Sequence, residues 1–183
     1  PERSAKANNE RKEVVKHLIE GGAYHYVIMG GAWSDKAYTF QTVANENRRA
    51  VFKKGLEKSI QLIIKNNAIP VILMDFPSLY NVPVTCGLSR LHSVNCYNKL
   101  SSVTSEQRVA KEVMLQLSRK YTQVILIDPK KIICDKDKCY SSLEGVPLYF
   151  GGKDNSHLDY AGSSLVGKLY IEKYGNPLVK SGK

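Results

Sequence analysis

Near the C-terminal end of this chain, an aspartate stands three positions before a histidine. The two residues are Asp154 and His157, and Asp159 follows as a plausible N-cap of the last predicted helix. A carboxylate at Asp154 can accept a hydrogen bond from one ring nitrogen of His157, so that the other ring nitrogen can take a proton from a serine hydroxyl. The spacing therefore predicts the base and the orienting acid of a nucleophilic catalyst.

The third member of such a catalyst, the nucleophilic serine, is not evident. Neither Gly-Asp-Ser nor Gly-x-Ser-x-Gly occurs in the sequence. The serines nearest the pair in the predicted arrangement, Ser34, Ser156, Ser163 and Ser164, lack the strand-to-helix turn that exposes a nucleophile. Ser34 follows the first predicted strand and is the best internal candidate, but we expect the nucleophile to lie on residues that precede Pro1.

The pair must be positioned by the elements around it. Short apolar runs predict strands at 26–29, 71–74 and 124–127, and helical periodicity predicts helices before, between and after them. Strands that are apolar on both faces are typical of a parallel sheet covered by helices. We therefore predict a single domain over residues 1–183, with a three-layer α/β/α fold and a parallel central sheet. Because the chain opens on a helix, we expect a further strand upstream of Pro1.

Several residues at predicted helix and strand ends are of types that cap such ends. Thr104 and Gln107 have the spacing of a capping box, and Gly162 allows close backbone approach at the first turn of the last helix. Asp75 and Asp128 each follow a predicted strand and are interpreted as loop-capping rather than catalytic carboxylates. Since functional groups gather at the carboxyl ends of parallel strands, we expect segments 30–33 and 75–77 to meet the Asp154 and His157 loop there.

The four cysteines form two local pairs, Cys86 with Cys96 and Cys134 with Cys139. Each pair closes a short loop rich in turn-forming or charged residues, which favours two disulfides and an oxidising compartment. A zinc site built from four thiolates is the alternative, since the second spacing suits zinc ligands. Simple buried thiols are the third interpretation.

The chain is basic, with 27 Lys and Arg against 17 Asp and Glu and a formal net charge of +10. The charges are scattered singly or in pairs, without a long basic stripe or a nucleic-acid-binding motif, so we do not predict nucleic acid as a partner. No apolar run reaches the roughly 18 to 20 residues needed to cross a bilayer.

Taken in order, the motifs resemble those of the SGNH hydrolase superfamily, whose last block is Asp-x-x-His before a C-terminal helix. More narrowly, the chain resembles the C-terminal SGNH domain fused to type-three membrane acyltransferases, which O-acetylate bacterial surface polysaccharides such as lipopolysaccharide O-antigen. The resemblance covers about residues 10 to 175 and rests on the segment 26–34, Pro77, the two cysteine loops, 127–129 and 154–158.

This resemblance implies a periplasmic domain, tethered to the inner membrane, that transfers acetyl to a polysaccharide hydroxyl through a serine acyl-enzyme. In it, Asp154 would orient His157, which would act as the base, while the turn ending in Gly31 and Trp33 would help to bind the oxyanion or the acyl group. Trp33 can equally be a core residue that anchors the strand end. The implied partners are the polysaccharide and the membrane acyltransferase domain of the same polypeptide. No bound cofactor or metal is implied, and acetyl-CoA would be the ultimate donor.

Two other functions are compatible with the same residues. A glycan O-acetyl esterase of the SGNH superfamily would use the same acyl-enzyme with water as the acceptor. A catalytically inactive polysaccharide-binding domain would explain the missing serine.

Overall fold

The computed structural model describes residues 9–10, 12–17, 21, 24–33, 45–79, 82, 86, 96–105, 107–150 and 157–179, with only the backbone described at 45–48. The central element is a parallel three-stranded sheet of β1 (Tyr26–Met29), β2 (Ile69–Leu73) and β4 (Ile125–Ile127), in the order β1-β2-β4. Its register pairs Ile28 with Val71 and Ile72 with Leu126. The predicted α/β fold with a parallel central sheet is therefore confirmed.

Two long helices connect these strands. Helix α2 (Asn45–Lys65) joins β1 to β2, and α4 (Arg108–Lys120) lies between β2 and β4 in the chain. Apolar residues recur every three or four positions along both helices, so each presents one apolar side. Those sides meet Ile72 and Met74 of the β2 segment in the main core, whose other members are Leu56, Ile60, Ala110, Val113, Met114, Leu117 and Val124.

A second, smaller structure lies beyond the carboxyl end of the sheet. It contains the short helices α3 (Leu100–Ser105) and α5 (Lys130–Ile133), the antiparallel pair β3 (Tyr97–Lys99) and β5 (Lys138–Tyr140), and the pair β6 (Ser142–Leu143) and β7 (Val146–Pro147). A second apolar cluster holds it together, and its buried members are Leu79, Val82, Cys86, Val103, Ile133, Cys139, Leu148, Tyr149 and Val166. Residues 12–17 form a further helical stretch, α1.

The last helix, α6 (Tyr160–Tyr174), begins as the sequence predicts. The carboxylate of Asp159 accepts a hydrogen bond of 2.6 Å from the N–H of Gly162, which is the side-chain cap expected at a helix N-terminus. A Cβ atom at Gly162 would stand 2.2 Å from the carbonyl oxygen of Leu148. Only glycine therefore allows the first turn of α6 to approach this backbone.

The capping-box prediction for α4 is wrong. Thr104 lies inside α3, where its hydroxyl donates to the carbonyl oxygen of Leu100 at 2.9 Å. Gln107 precedes α4 but makes no side-chain cap, because its side chain is buried in contacts with other elements. The chain thus contains two consecutive helices where the spacing suggested one.

Candidate active site

The segment after β1 is fixed to the segment after β2 through Trp33. The backbone N–H of Trp33 donates to Oδ2 of Asp75 at 2.7 Å, and its indole Nε1–H donates to the carbonyl oxygen of Leu73 at 2.8 Å. Its ring also packs beside Phe52 of α2, with a centroid separation of 5.9 Å. Trp33 therefore anchors the end of one strand to the end of the next, as one of the two sequence interpretations expected.

Gly31 lies in the same turn and is exposed. A Cβ atom at this position would touch the Trp33 ring at 3.9 Å, so the two residues are neighbours. Within the described part of the chain, no residue accepts a hydrogen bond from the Gly31 N–H. The Trp33 N–H, in contrast, already has its acceptor.

The segment that bears His157 is tied to its surroundings by backbone pairing. The N–H of Phe150 donates to the carbonyl oxygen of His157 at 3.1 Å, and Tyr149 and Leu158 form an antiparallel bridge. The phenol of Tyr149 is buried and donates to the carbonyl oxygen of Pro77 at 2.8 Å. Because Pro77 follows β2, these contacts bring the His157 segment to the carboxyl edge of the sheet.

The side chain of His157 is exposed at this edge. Asp154 lies outside the described residues, as do Ser34 and Ser156, so the predicted partnership of Asp154 with His157 stays a prediction. Ser163 and Ser164 are exposed positions within α6, and the hydroxyl of Ser163 donates to the carbonyl oxygen of Tyr160 at 3.1 Å.

A buried lysine beside this edge was not predicted from the sequence. Lys130 is only 7% exposed, and its ammonium donates to Oε1 of Gln107 at 2.9 Å and to the carbonyl oxygen of Asp75. Oδ1 of Asp128 lies 3.6 Å from the same ammonium and accepts the backbone N–H of Lys130 at 3.1 Å. Lys130 thus links the ends of β2 and β4 and the start of α4.

Burial shifts the pKa values of Lys130 and Asp75. Desolvation lowers the pKa of Lys130, while the nearby carboxylates of Asp128 and Asp75 oppose that effect. Desolvation also raises the pKa of Asp75, against the hydrogen bond from the Trp33 N–H and the charge of Lys130. The interpretation of Asp75 and Asp128 as loop-capping residues agrees with these contacts, since each accepts a backbone N–H.

Both predicted cysteine pairs are disulfides in the structure, Cys86 with Cys96 and Cys134 with Cys139. The alternatives of a four-thiolate zinc site and of simple buried thiols are therefore wrong. Cys139 lies on β5 and Cys96 immediately precedes β3, so the two bonds flank the same small sheet.

Comparison with known proteins places the chain in a family. Residues 1–172 match the SGNH domain fused to AT3 domains, and the chain belongs to this family. Among solved structures, the chain is similar to the periplasmic domain of the lipopolysaccharide acetyltransferase of Salmonella ser. Paratyphi A, with 15% identity and a TM-score of 0.56. The match covers 91% of this chain and 60% of that structure. No curated protein sequence gives a match.

Within the described residues, no helix is both long and apolar enough to cross a membrane.

Proposed function

We propose that this chain is the periplasmic part of an O-acetyltransferase that acetylates a hydroxyl of a bacterial surface polysaccharide of the lipopolysaccharide O-antigen type. The observation that carries the proposal is the hydrogen bond from Tyr149 to Pro77, which holds the His157 segment at the carboxyl edge of the sheet. Membership of the SGNH family fused to AT3 domains supports acyl transfer as the class of reaction.

In the proposed reaction, His157 removes the proton from a serine hydroxyl while the serine oxygen forms a bond to the acetyl carbonyl carbon of a donor ester or thioester. The bond from that carbon to the donor's leaving atom breaks, and the proton passes from the imidazolium to the leaving group. An acceptor hydroxyl then gives its proton to His157 and attacks the acetyl-serine, whose oxygen departs and regains the proton. Asp154 keeps the imidazole in the required tautomer throughout.

The oxyanion formed in both steps requires hydrogen-bond donors. We assign one of them to the N–H of Gly31, because the neighbouring Trp33 N–H already donates to Asp75. Trp33 then acts by positioning this turn through its two hydrogen bonds to the β2 segment. The nucleophile in this proposal is a serine of a Gly-Asp-Ser block outside residues 1–183.

The proposed acetyl donor is acetyl-CoA, handled by the membrane AT3 domain, which would pass the acetyl group to this chain. Two disulfides are characteristic of an oxidising compartment such as the periplasm. Tethering to the inner membrane through the AT3 domain would keep the serine and His157 close to the site where acetyl arrives.

The test uses the complete polypeptide, expressed in cells that make the polysaccharide, with acetyl esters quantified by proton NMR of the purified glycan. His157→Ala should abolish acetylation, and Asp154→Asn should lower it by about two orders of magnitude or more, because the tautomer is no longer fixed. His17→Ala is the matched control, since His17 is exposed on α1. Full acetylation in the His157 variant would overturn the assignment.

The acceptor and the nucleophile are tested separately. Hydrolysis of a simple acetyl ester that is rapid and unaffected by added oligosaccharide would instead identify an esterase. A serine-directed fluorophosphonate, followed by peptide mass spectrometry, should label the complete polypeptide but not residues 1–183 alone. A labelled Ser34 in the 183-residue chain would contradict an external nucleophile, and absence of labelling and turnover in both would favour a binding domain.

A further inference from the structure

A groove of about 890 Å³ opens beside the carboxyl edge of the sheet. Its walls are the β3 strand with α3, the first turn of α4, and residues 136–138 leading into β5. Its volume is in the range of sites that bind small molecules or short stretches of a polymer. None of the residues assigned to the acyl-transfer reaction lines it.

The groove is strongly basic. Five of its lining side chains are cations and one, Asp137, is an anion; the cations are Lys99, Arg108, Lys111, Lys136 and Lys138. No carboxylate among the residues that the structure describes lies within ion-pairing distance of these five cations. A concave surface of one sign concentrates the potential and attracts ligands of the opposite sign.

Three of these cations occupy positions that are unfavourable in the absence of a ligand. Lys99 and Lys138 are directly opposed on the antiparallel strands β3 and β5, where like charges repel. Arg108 stands in the first turn of α4, which contains no acidic residue and where the helix dipole disfavours a positive charge. An anion in the groove would relieve both unfavourable placements at once.

Contacts within the groove walls restrain the charged side chains. The ammonium of Lys138 lies 4.1 Å from the centroid of the Tyr97 ring, a cation–π contact that restricts the side chain. The N–H of Leu100 donates to the carbonyl oxygen of Asp137 at 2.8 Å, which joins α3 to the opposite wall. Lys99, Lys136 and Lys138 are therefore presented by two connected walls rather than by independent loops.

Hydroxyl groups complete the lining. Ser101, Thr104 and Ser105 face the groove, and the hydroxyls of Thr104 and Ser105 donate to backbone carbonyls of α3. Their oxygen lone pairs stay able to accept hydrogen bonds from a ligand, and sugar hydroxyls are suitable donors. A concave, hydroxyl-lined surface fits a saccharide better than the flat, headgroup-covered surface of a membrane.

The groove adjoins the proposed active site through Gln107. The side chain of this residue donates to the carbonyl oxygen of Phe76, just after β2, at 3.1 Å, and accepts from Lys130. Arg108 follows it directly, and the positive charge of Lys111 contributes, after desolvation, to lowering the pKa of Lys130. A chain bound in the groove would therefore lie next to the carboxyl edge.

We propose that this groove is a binding subsite for an anionic saccharide, in which sugar carboxylates or phosphates pair with Arg108, Lys111 and the opposed Lys99 and Lys138. The role of the bound saccharide as the acyl acceptor rests on the proposed function, whereas binding itself does not.

Binding is measured on the purified, oxidised 183-residue chain by calorimetry at low salt, with tetragalacturonate as the carboxylate probe and mannose 6-phosphate as the phosphate probe. Neutral maltotetraose is the uncharged control, and vesicles containing phosphatidylglycerol test the membrane alternative. Tetragalacturonate should bind and maltotetraose should not, with affinity falling as salt is added because screening weakens the attraction. A response to mannose 6-phosphate of equal strength would assign the site to phosphate sugars, and a weaker one to carboxylate sugars.

The decisive variant is Arg108→Glu with Lys111→Glu, which should weaken binding about tenfold or more. Lys54→Glu with Lys58→Glu on α2 makes the same change in net charge outside the groove and should leave affinity within about twofold. Equal losses in both double variants, equal binding of the neutral probe, or binding to vesicles alone would overturn the proposal. If the groove variant loses saccharide binding while the complete polypeptide carrying it still turns over a simple ester, the groove binds saccharide independently of the proposed reaction.

Discussion

The phenol of Tyr149 donates a hydrogen bond to the backbone carbonyl oxygen of Pro77, 72 residues earlier in the chain. Pro77 is buried in the segment that follows β2, and Tyr149 pairs with the segment that carries His157. One side chain therefore connects the sheet to the loop that holds the candidate base. Burial raises the pKa of Tyr149, so the phenol stays protonated and remains a donor.

Tyr149→Phe should destabilise the fold by about 1–3 kcal/mol, because the buried carbonyl of Pro77 loses its donor. Urea denaturation followed by circular dichroism measures this loss. Tyr160→Phe is the matched control, since Tyr160 is 89% exposed and should change stability by no more than about 0.5 kcal/mol. Equal stability of the two variants would mean that the hydrogen bond contributes little.

Gly162→Ala should destabilise the protein by about 3 kcal/mol, because a Cβ atom would overlap the backbone of Leu148 and force α6 away from it. Gly167→Ala lies in the same helix and meets no atom within 4 Å. That control should be neutral or stabilising by up to about 1 kcal/mol, as alanine favours the helix. Thermal unfolding of both variants tests the contrast, and similar midpoints would show that the contact relaxes easily.

Lys130→Met should cost about 2–4 kcal/mol, because it removes the cation beside Asp128 and the donor to the Gln107 side chain and the Asp75 carbonyl. Lys58→Met makes the same change at an exposed position of α2 and should alter stability by no more than about 0.5 kcal/mol. A stabilised Lys130 variant in urea titration would mean that desolvation of the ammonium outweighs its three contacts.

Asp75→Asn should reveal a pH dependence of definite sign. Since burial raises the folded-state pKa of Asp75 above 3.8, the native state holds its proton more tightly than the unfolded chain does. The stability of the natural protein relative to the variant should therefore be greatest below pH 3.8 and fall as pH rises through the folded-state pKa.

Asp135 supplies the opposite case. The hydroxyl of Tyr140 and the N–H groups of Asp137 and Lys138 lower the pKa of Asp135, so the natural protein should lose stability relative to Asp135→Asn as pH falls through the folded-state pKa. Urea titrations between about pH 2.5 and 7 compare the two variants with the natural protein, since this range spans the carboxylate pKa values. Slopes of the same sign would contradict burial as the cause at Asp75.

The main sheet was predictable because its strands are apolar on both faces. Tyr26–Met29 matches the prediction in full, whereas the second and third strands are Ile69–Leu73 and Ile125–Ile127 instead of 71–74 and 124–127. The small β3–β5 sheet was not predicted, since its strands are three residues long and largely polar. Its pairing depends on contacts distant in sequence and on the neighbouring disulfides, which no local pattern encodes.

The candidate site was predictable where a residue acts locally. Asp159 caps the helix that it precedes, and Gly162 allows the first turn of that helix to approach the backbone of Leu148. Their positions relative to the helix identified both residues in the sequence. Gln107 was predicted to cap a helix, whereas its side chain bonds to Phe76 and Lys130. Lys130 was not recognised, because a lone lysine after a strand resembles any surface lysine. Their roles follow from tertiary burial, which brings Lys130 to the carbonyl of Asp75 across 55 positions of sequence.

The Cys134–Cys139 disulfide closes the loop that carries Lys136, Asp137 and Lys138. This loop is consequently ordered by a covalent bond before any ligand arrives, and the wall of the groove is pre-organised. A saccharide that binds there need not offset the conformational entropy of a free loop with its own contacts. Affinity in the groove should therefore be coupled to the oxidation state of a disulfide that touches neither the saccharide nor the reacting atoms.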